Sequence, residues 1–290
     1  MKIYIPNTTN TSLGGGFIFL RNLKKALHDK VEFVNTWQEC DIVFIFGITT
    51  IDKNEINEAV KAGKKLCLRV DNIPRKSRNT RQSPAERITE FGNKADLVIY
   101  QSKWCEEYAG YFINNKNKVT INNGVDLEIF NYNDRSSDGN TYCYINYNDN
   151  PNKRFDEALY WFDMLWRNDN DIKLSIAGNV PKIYLEHPEY NWDIPTNAKV
   201  DYYGIMNTPE SVASFFRQCD YIIYPSFAEA YPNTLLEAMA CGVSPLFINK
   251  TGGAYEAYDN SSDWESAPKF KVKSIYEMGE EYLSAFKKII

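Results

Sequence analysis

The chain has 290 residues, 43% of them hydrophobic and 24% charged, which is enough to bury two modest α/β cores. A net charge of −5 and a pI near 5.3 argue against a protein whose affinity comes from neutralising nucleic-acid phosphates, although a local basic patch stays open. No apolar run reaches the ~20 residues of a membrane span, and the start Met1-Lys2-Ile3-Tyr4-Ile5-Pro6 does not read as a signal peptide.

In chain order, residues 2–6 read as a strand, a glycine-rich loop follows, and residues 17–28 carry Phe17, Leu20, Leu23 and Leu27 at helical spacing. Residues 41–46 are almost continuously apolar, as a parallel strand buried on both faces requires. A helix over 53–62, a strand over 65–70, a helix over 84–92, a strand over 95–100, a helix over 103–112 and a short strand over 119–121 continue the alternation. Residues 131–140 are polar, lack an apolar period and read as an interdomain linker. Strands over 142–147, 172–177, 200–203, 221–224 and 244–247 then alternate with helices over 154–167, 210–217 and 233–241, while 180–197 is mostly loop. A helix over 275–290 with Met278, Tyr282 and Phe286 on one face closes the chain. The pattern is α/β, with two Rossmann-like doubly wound parallel-sheet domains, 1–133 and 134–290, facing a cleft. The terminal helix is expected to pack back across that cleft, and ligands to bind at the carboxyl ends of the strands.

Six cysteines, Cys40, Cys67, Cys105, Cys143, Cys219 and Cys241, show no C-x-x-C spacing. They read as buried thiols in a reducing compartment, so the expected location is the cytoplasm, with loose contact to a membrane surface left open.

The stretch from Pro225 to Gly242 carries the most chemistry. A helix that begins after Pro232, at the end of a parallel strand, offers unpaired amides and partial positive charge to an anion such as a diphosphate. Glu237, one turn inside that helix, is placed to accept hydrogen bonds from vicinal hydroxyls. The competing reading is helix grammar: Thr234-x-x-Glu237 and Ser226-x-x-Glu229 both have the form of capping boxes.

Glu229 and Glu237 stand eight positions apart and are followed by Ala-Met-Ala-Cys-Gly, then by Gly252, Gly253 and Glu256. Together they resemble the paired-glutamate signature of family-4 retaining glycosyltransferases with the GT-B fold, the glycosyl transferases group 1. Ser102-Lys103-Trp104 resembles that family's S-x-W element, and Asn123-Gly124-Val125-Asp126 with Phe130 resembles its N-G-V-D-x-x-x-F loop. Gly14, Gly15 and Gly16 resemble its N-terminal glycine loop, and Lys153 stands where its K-G lysine falls.

The resemblance implies transfer of a hexose or pentose from a UDP-, GDP- or ADP-linked sugar to a hydroxyl of a glycan, lipid or small molecule, without a metal or other cofactor. It implies that Glu237 binds the ribose and that Glu229 contacts the transferred sugar. Asn233, Thr234 and Leu235 would present amides to the diphosphate beside Tyr231 and Pro232, and Lys153 would neutralise the leaving phosphate. Gly15 and Gly16 would let the first domain's backbone come close to that phosphate.

The chain departs from the family in two places. An arginine about six positions before the lysine is replaced by Asn146 and Tyr147, which leaves Lys153, the helix terminus or Arg154 to meet the charge. Where the family has a histidine after the third strand, this chain has Asp71-Asn72. Asp71 reads equally as an acceptor-side catalytic partner or as a turn residue, and the two histidines, His28 and His187, read as surface groups. The basic segment with Arg69, Arg75, Lys76, Arg78, Arg81 and Arg87 is either a solvated loop or a site for an acidic acceptor, with Arg75 and Arg78 as its candidates. Two alternatives remain in view: a viral-type enzyme that glycosylates hydroxymethylated bases in DNA, and a nucleotide-sugar-binding protein without turnover.

Overall fold

A computed structural model describes residues 1–6, 14–48, 51–71, 84–147, 150–180, 198–262 and 270–290. The candidate acceptor residues Asn72, Arg75 and Arg78 lie outside the described residues, as do Lys76, Arg81 and His187. Packing divides the chain into one unit of Met1–Gly124 with Lys273–Ile290 and a second of Val125–Val272. Compactness thus separates the chain earlier than the composition boundary at 133/134, and puts the terminal helix with the first half.

The first unit runs β1 (Lys2–Tyr4), α1 (Gly15–Leu27), β2 (Glu32–Val34), β3 (Ile42–Ile45), α2 (Lys53–Lys61), β4 (Lys65–Val70), α3 (Pro84–Lys94), β5 (Leu97–Tyr100), α4 (Lys103–Gly110) and β6 (Lys118–Thr120). Its six strands lie in the order β2-β1-β3-β4-β5-β6 and all pair in parallel. All four residues of β3 are buried, as its apolar run requires, whereas the flanking β2 and β6 bury none fully. α1 turns Phe19, Leu20, Leu23, Ala26 and Leu27 inward, the helical stripe visible in the sequence.

The second unit runs β7 (Thr141–Asn146), α5 (Phe155–Trp166), β8 (Lys173–Gly178), β9 (Lys199–Tyr202), α6 (Pro209–Arg217), β10 (Tyr221–Ile223), α7 (Asn233–Ala240), β11 (Ser244–Leu246) and α8 (Gly253–Ser261). Its five parallel strands are ordered β11-β10-β7-β8-β9. Strand order reverses at β7, because the chain proceeds from β7 to β8 and β9 on one side and then returns to β10 and β11 on the other. The loops after β7 and β10 therefore leave neighbouring strands at a topological switch point, the place where open parallel sheets bind ligands.

The last helix, α9 (Ile275–Lys287), belongs to the first unit and packs on α1 so tightly that a Cβ added to Gly279 would stand 2.7 Å from Ala26 Cβ. Met278, Tyr282 and Phe286 are buried on its inner face, as their spacing predicts. Its first turn is a capping box: Ser274 Oγ accepts the Glu277 N–H at 3.1 Å, and Glu277 Oε2 accepts the Ser274 N–H at 2.7 Å. Ser274→Ala is expected to cost about 1 kcal/mol, measured as a lower denaturation midpoint with unchanged slope.

Residues 131–140, read as a polar link, are pinned to the second unit. Arg135 Nη2 pairs with Asp220 Oδ1 at 2.9 Å, Asp220 Oδ2 accepts the Gly139 N–H at 2.9 Å, and the Ser136 N–H donates to the Arg217 carbonyl at 3.0 Å. All six cysteines are buried and none is in a disulfide. Among the described residues no helix is long and apolar enough to cross a membrane.

Candidate functional site

The switch point of the second unit brings together residues far apart in sequence. After β7 the chain makes a 3-10 turn over Pro151–Lys153, capped by the Asn150 side chain, and after β10 it runs through an irregular loop to Glu229. Lys153 Nζ lies 3.1 Å from Glu229 Oε1, with the two side chains only 24% and 18% exposed. A backbone bond locks the loops to each other, the Phe227 N–H donating to the Asn152 carbonyl at 2.8 Å, and the Tyr144 hydroxyl of β7 donates to the Lys153 carbonyl at 3.2 Å. Burial pushes the Tyr144 hydroxyl well above its ordinary pKa despite the nearby Lys153 charge, so it stays a neutral donor.

Glu229 is also fixed from the other side. Its carbonyl accepts the Gly253 N–H at 2.6 Å, which joins it to the first turn of α8, and the Ala228 N–H donates to the Thr251 carbonyl at 2.8 Å. Gly252 makes this approach possible. It has φ +131°, and a Cβ there would stand 2.9 Å from the Glu229 nitrogen and 3.0 Å from its oxygen. Gly252→Ala is expected to destabilise the protein by roughly 1–3 kcal/mol, since it is both strained and crowded. Turnover per folded molecule should fall with it, which thermal melts combined with initial rates would measure. Ala228 and Arg154, the neighbours of Glu229 and Lys153, hold left-handed backbone at φ 53° and 51°. Non-glycine residues persist in that region only where their surroundings over-determine it, and such strain gathers at functional sites.

α7 begins four residues after Glu229, and Pro232 at its N-cap supplies no side-chain bond. The capping-box alternatives are thus overturned: neither Ser226 nor Thr234 caps a helix, because no helix starts at the first and the second lies already inside α7. The first amides of any α-helix lack intrahelical acceptors, and here the N-cap leaves them to another partner. Asn233 and Thr234 are half-buried, while Tyr231, Pro232 and Leu235 are buried beneath them. Glu237 is 7% exposed, one turn in. Burial, joined by the Glu237 charge, pushes the nearby Cys241 thiol up to about 12 against the pull of Arg217 and Arg135, so it is no nucleophile near neutrality. Arg154 pairs with Glu157 at 2.5 Å and lies 5.1 Å from the Phe227 ring centre, which places it against the loop but already engaged.

Several candidates fall in the first unit. Gly15 is exposed and Gly16 half-buried at the N-terminus of α1, whose N-cap Gly14 makes no side-chain bond. Asp71 Oδ1 accepts the Ile48 N–H at 3.2 Å, tying the segments after β3 and β4. Arg69, counted with the basic segment, is 2% exposed: that segment's first arginine is a core residue and is not on its surface. His28 is exposed, as expected. The motif residues Ser102, Gly124 and Phe130 have structural jobs. Ser102 Oγ caps α4 at the Cys105 N–H, Gly124 abuts the Ser274 carbonyl, where a Cβ would come within 2.3 Å, and Phe130 lies in the second unit's core. Sequence reasoning missed Asn152 and the Arg69 cluster. A basic residue inside an otherwise apolar buried strand was the available signal for the second. Among the described residues no three His, Cys, Asp or Glu side chains gather as metal ligands.

The sequence profile of the family described as glycosyl transferases group 1 matches residues 128–276, just over half of the chain. The chain belongs to that family. This glycosyltransferase has the GT-B fold, and it is similar in structure to HepE of Anabaena solved with UDP-glucose: TM-score 0.71, 14% identity, covering 99% of this chain and 90% of that one. It is also similar to a sucrose-phosphate synthase from Thermosynechococcus elongatus (TM-score 0.64, 14% identity, 99% and 96% covered). A glycosyltransferase from Rickettsia africae gives a TM-score of 0.61 at 14% identity, with 99% and 88% covered. No curated protein matches the chain by sequence.

Proposed function

We propose that this glycosyltransferase moves a hexose or pentose from a nucleotide-diphosphate sugar to an acceptor hydroxyl, with retention of configuration as in family 4. The observation that carries the reading is the Lys153–Glu229 pair, held at 3.1 Å at the switch point beside the start of α7. Departure of the nucleoside diphosphate builds negative charge, and fixed donors at that place stabilise it more than they stabilise the ground state. Lys153 and the amides of Asn233, Thr234 and Leu235 are assigned to that charge, Glu229 to the hydroxyls of the transferred sugar, and Glu237 to the ribose. Gly15 and Gly16 are assigned to the phosphate from the first unit, and Asp71 with the basic segment to the acceptor. No metal is required, because lysine and helix terminus supply the positive charge. That the structurally similar HepE was solved with UDP-glucose supports a UDP-linked donor as the first to try. Six buried cysteines without a disulfide support action in the reducing cytoplasm.

The test is slow donor hydrolysis followed by proton NMR with UDP-, GDP- and ADP-α-glucose. The α anomer of the released sugar is expected first. Initial release of the β anomer would make the enzyme inverting.

A further inference from the structure

A guanidinium keeps its charge at every physiological pH and loses favourable hydration when buried. Arg69 in β4 is nonetheless among the largest fully buried side chains of the protein. Its partners among the described residues are neutral. Nη1 donates to the Phe46 carbonyl at 3.2 Å, Nη2 donates to Gln101 Oε1 at 2.6 Å and Asn123 Oδ1 at 3.1 Å, and the group lies 3.7 Å from the centre of the Phe19 ring. Neutral acceptors orient a cation without cancelling it. Hydrophobic replacement of buried ionic groups often leaves stability unchanged or improved, so stability alone is a weak reason to keep one.

The partners share a place. Phe46 follows β3, Gln101 follows β5 and Asn123 follows β6, so one planar fork ties three loops at the carboxyl edge of the sheet. Gln101 passes the tie on through its Nε2 to the Val70 carbonyl at 2.9 Å, and Asn123 Nδ2 donates to Gln101 Oε1 at 3.1 Å. The same fork reaches α1 twice. It stacks on Phe19, and it holds the Phe46 backbone whose ring packs edge-on against Phe17 with centres 5.4 Å apart. A Cβ added to Gly16 would stand 3.5 Å from that Phe46 ring.

We infer that Arg69 is a positioning residue for sugar transfer: it fixes the first turn of α1, and with it the Gly15 and Gly16 backbone, against the carboxyl edge of the first unit's sheet. The inference rests on the proposed role of those glycines toward the donor diphosphate. A single ammonium cannot span three separated acceptors, so lysine at this position keeps the charge and loses the geometry.

The experiment compares wild type, Arg69→Lys and Arg69→Met below their melting temperatures. Hydrogen exchange in the ligand-free proteins is expected to speed up at residues 16–20 in both variants while residues 42–45 stay protected. With the nucleotide sugar that wild type hydrolyses fastest, kcat should fall by about tenfold in Arg69→Lys and up to ~10²-fold in Arg69→Met, the size expected when a reacting group is misplaced by about an ångström. The Kd for the free nucleoside diphosphate should stay within about threefold, a split that general destabilisation does not produce. Unchanged exchange at residues 16–20, or kcat within threefold of wild type, overturns the inference, and Arg69→Lys decides it if the methionine variant does not fold. Exchange is read without ligand, so wild type that hydrolyses no nucleotide sugar would count against the donor reading and leave the exchange result to judge Arg69.

Discussion

Glu237→Ala is expected to weaken nucleotide-sugar binding by about 10²-fold, because a carboxylate that accepts two hydroxyl hydrogen bonds contributes roughly 1.5 kcal/mol or more through each. The side chain is 7% exposed inside α7, so truncation also leaves a small void. The two effects separate by measurement: calorimetric titration reads affinity, and a thermal melt without ligand reads the void. Glu237→Gln keeps the volume and one acceptor oxygen, so its affinity should fall by about tenfold with little change in melting. A lower melting temperature with unchanged affinity in Glu237→Ala would make Glu237 a packing residue and remove it from the donor site.

Lys153→Met should leave a folded enzyme whose kcat is lower by about 10²–10³-fold, the range seen when one preorganised donor to developing charge is removed. Donor affinity should change less if the lysine acts as proposed, because a cation set against a leaving group matters most once that group departs. The variant also leaves Glu229, 18% exposed, without its ammonium, so part of the loss belongs to Glu229. Lys153→Met combined with Glu229→Gln resolves this. If the pair acts as a unit, the double variant loses far less than the product of the two single losses. Lys153→Met with kcat within threefold of wild type would assign the leaving-group charge elsewhere.

The legible parts of this protein are those where a local rule and the global fold agree. The strand Lys65–Val70 could be read to the residue because its apolar run is bounded by turn residues, and the α7 start could be read because Pro232 suits only the first positions of a helix. β2, with the sequence Glu-Phe-Val, was invisible: one exposed and two half-buried residues at a sheet edge have no period to show. α8 was missed because it opens on glycine and carries few apolar residues, so its identity comes from packing on α7. The paired glutamates were found through resemblance, yet what holds Glu229 is the Gly252 turn and Lys153, contacts of long sequence separation that no local pattern encodes. The basic segment misled in part for the same reason. Charge along a sequence does not tell a surface arginine from Arg69, which the sheet buries and whose two terminal nitrogens bond the polar ends of three neighbouring loops.

The most direct test is hydrogen exchange of wild type with and without a saturating nucleotide sugar, taken from the UDP-, GDP- and ADP-glucose set by thermal shift. Slower exchange should concentrate at residues 226–237 and at 151–154, the two loops that meet at the second unit's switch point. Ligand binding that leaves both segments unprotected while slowing exchange elsewhere would contradict the account.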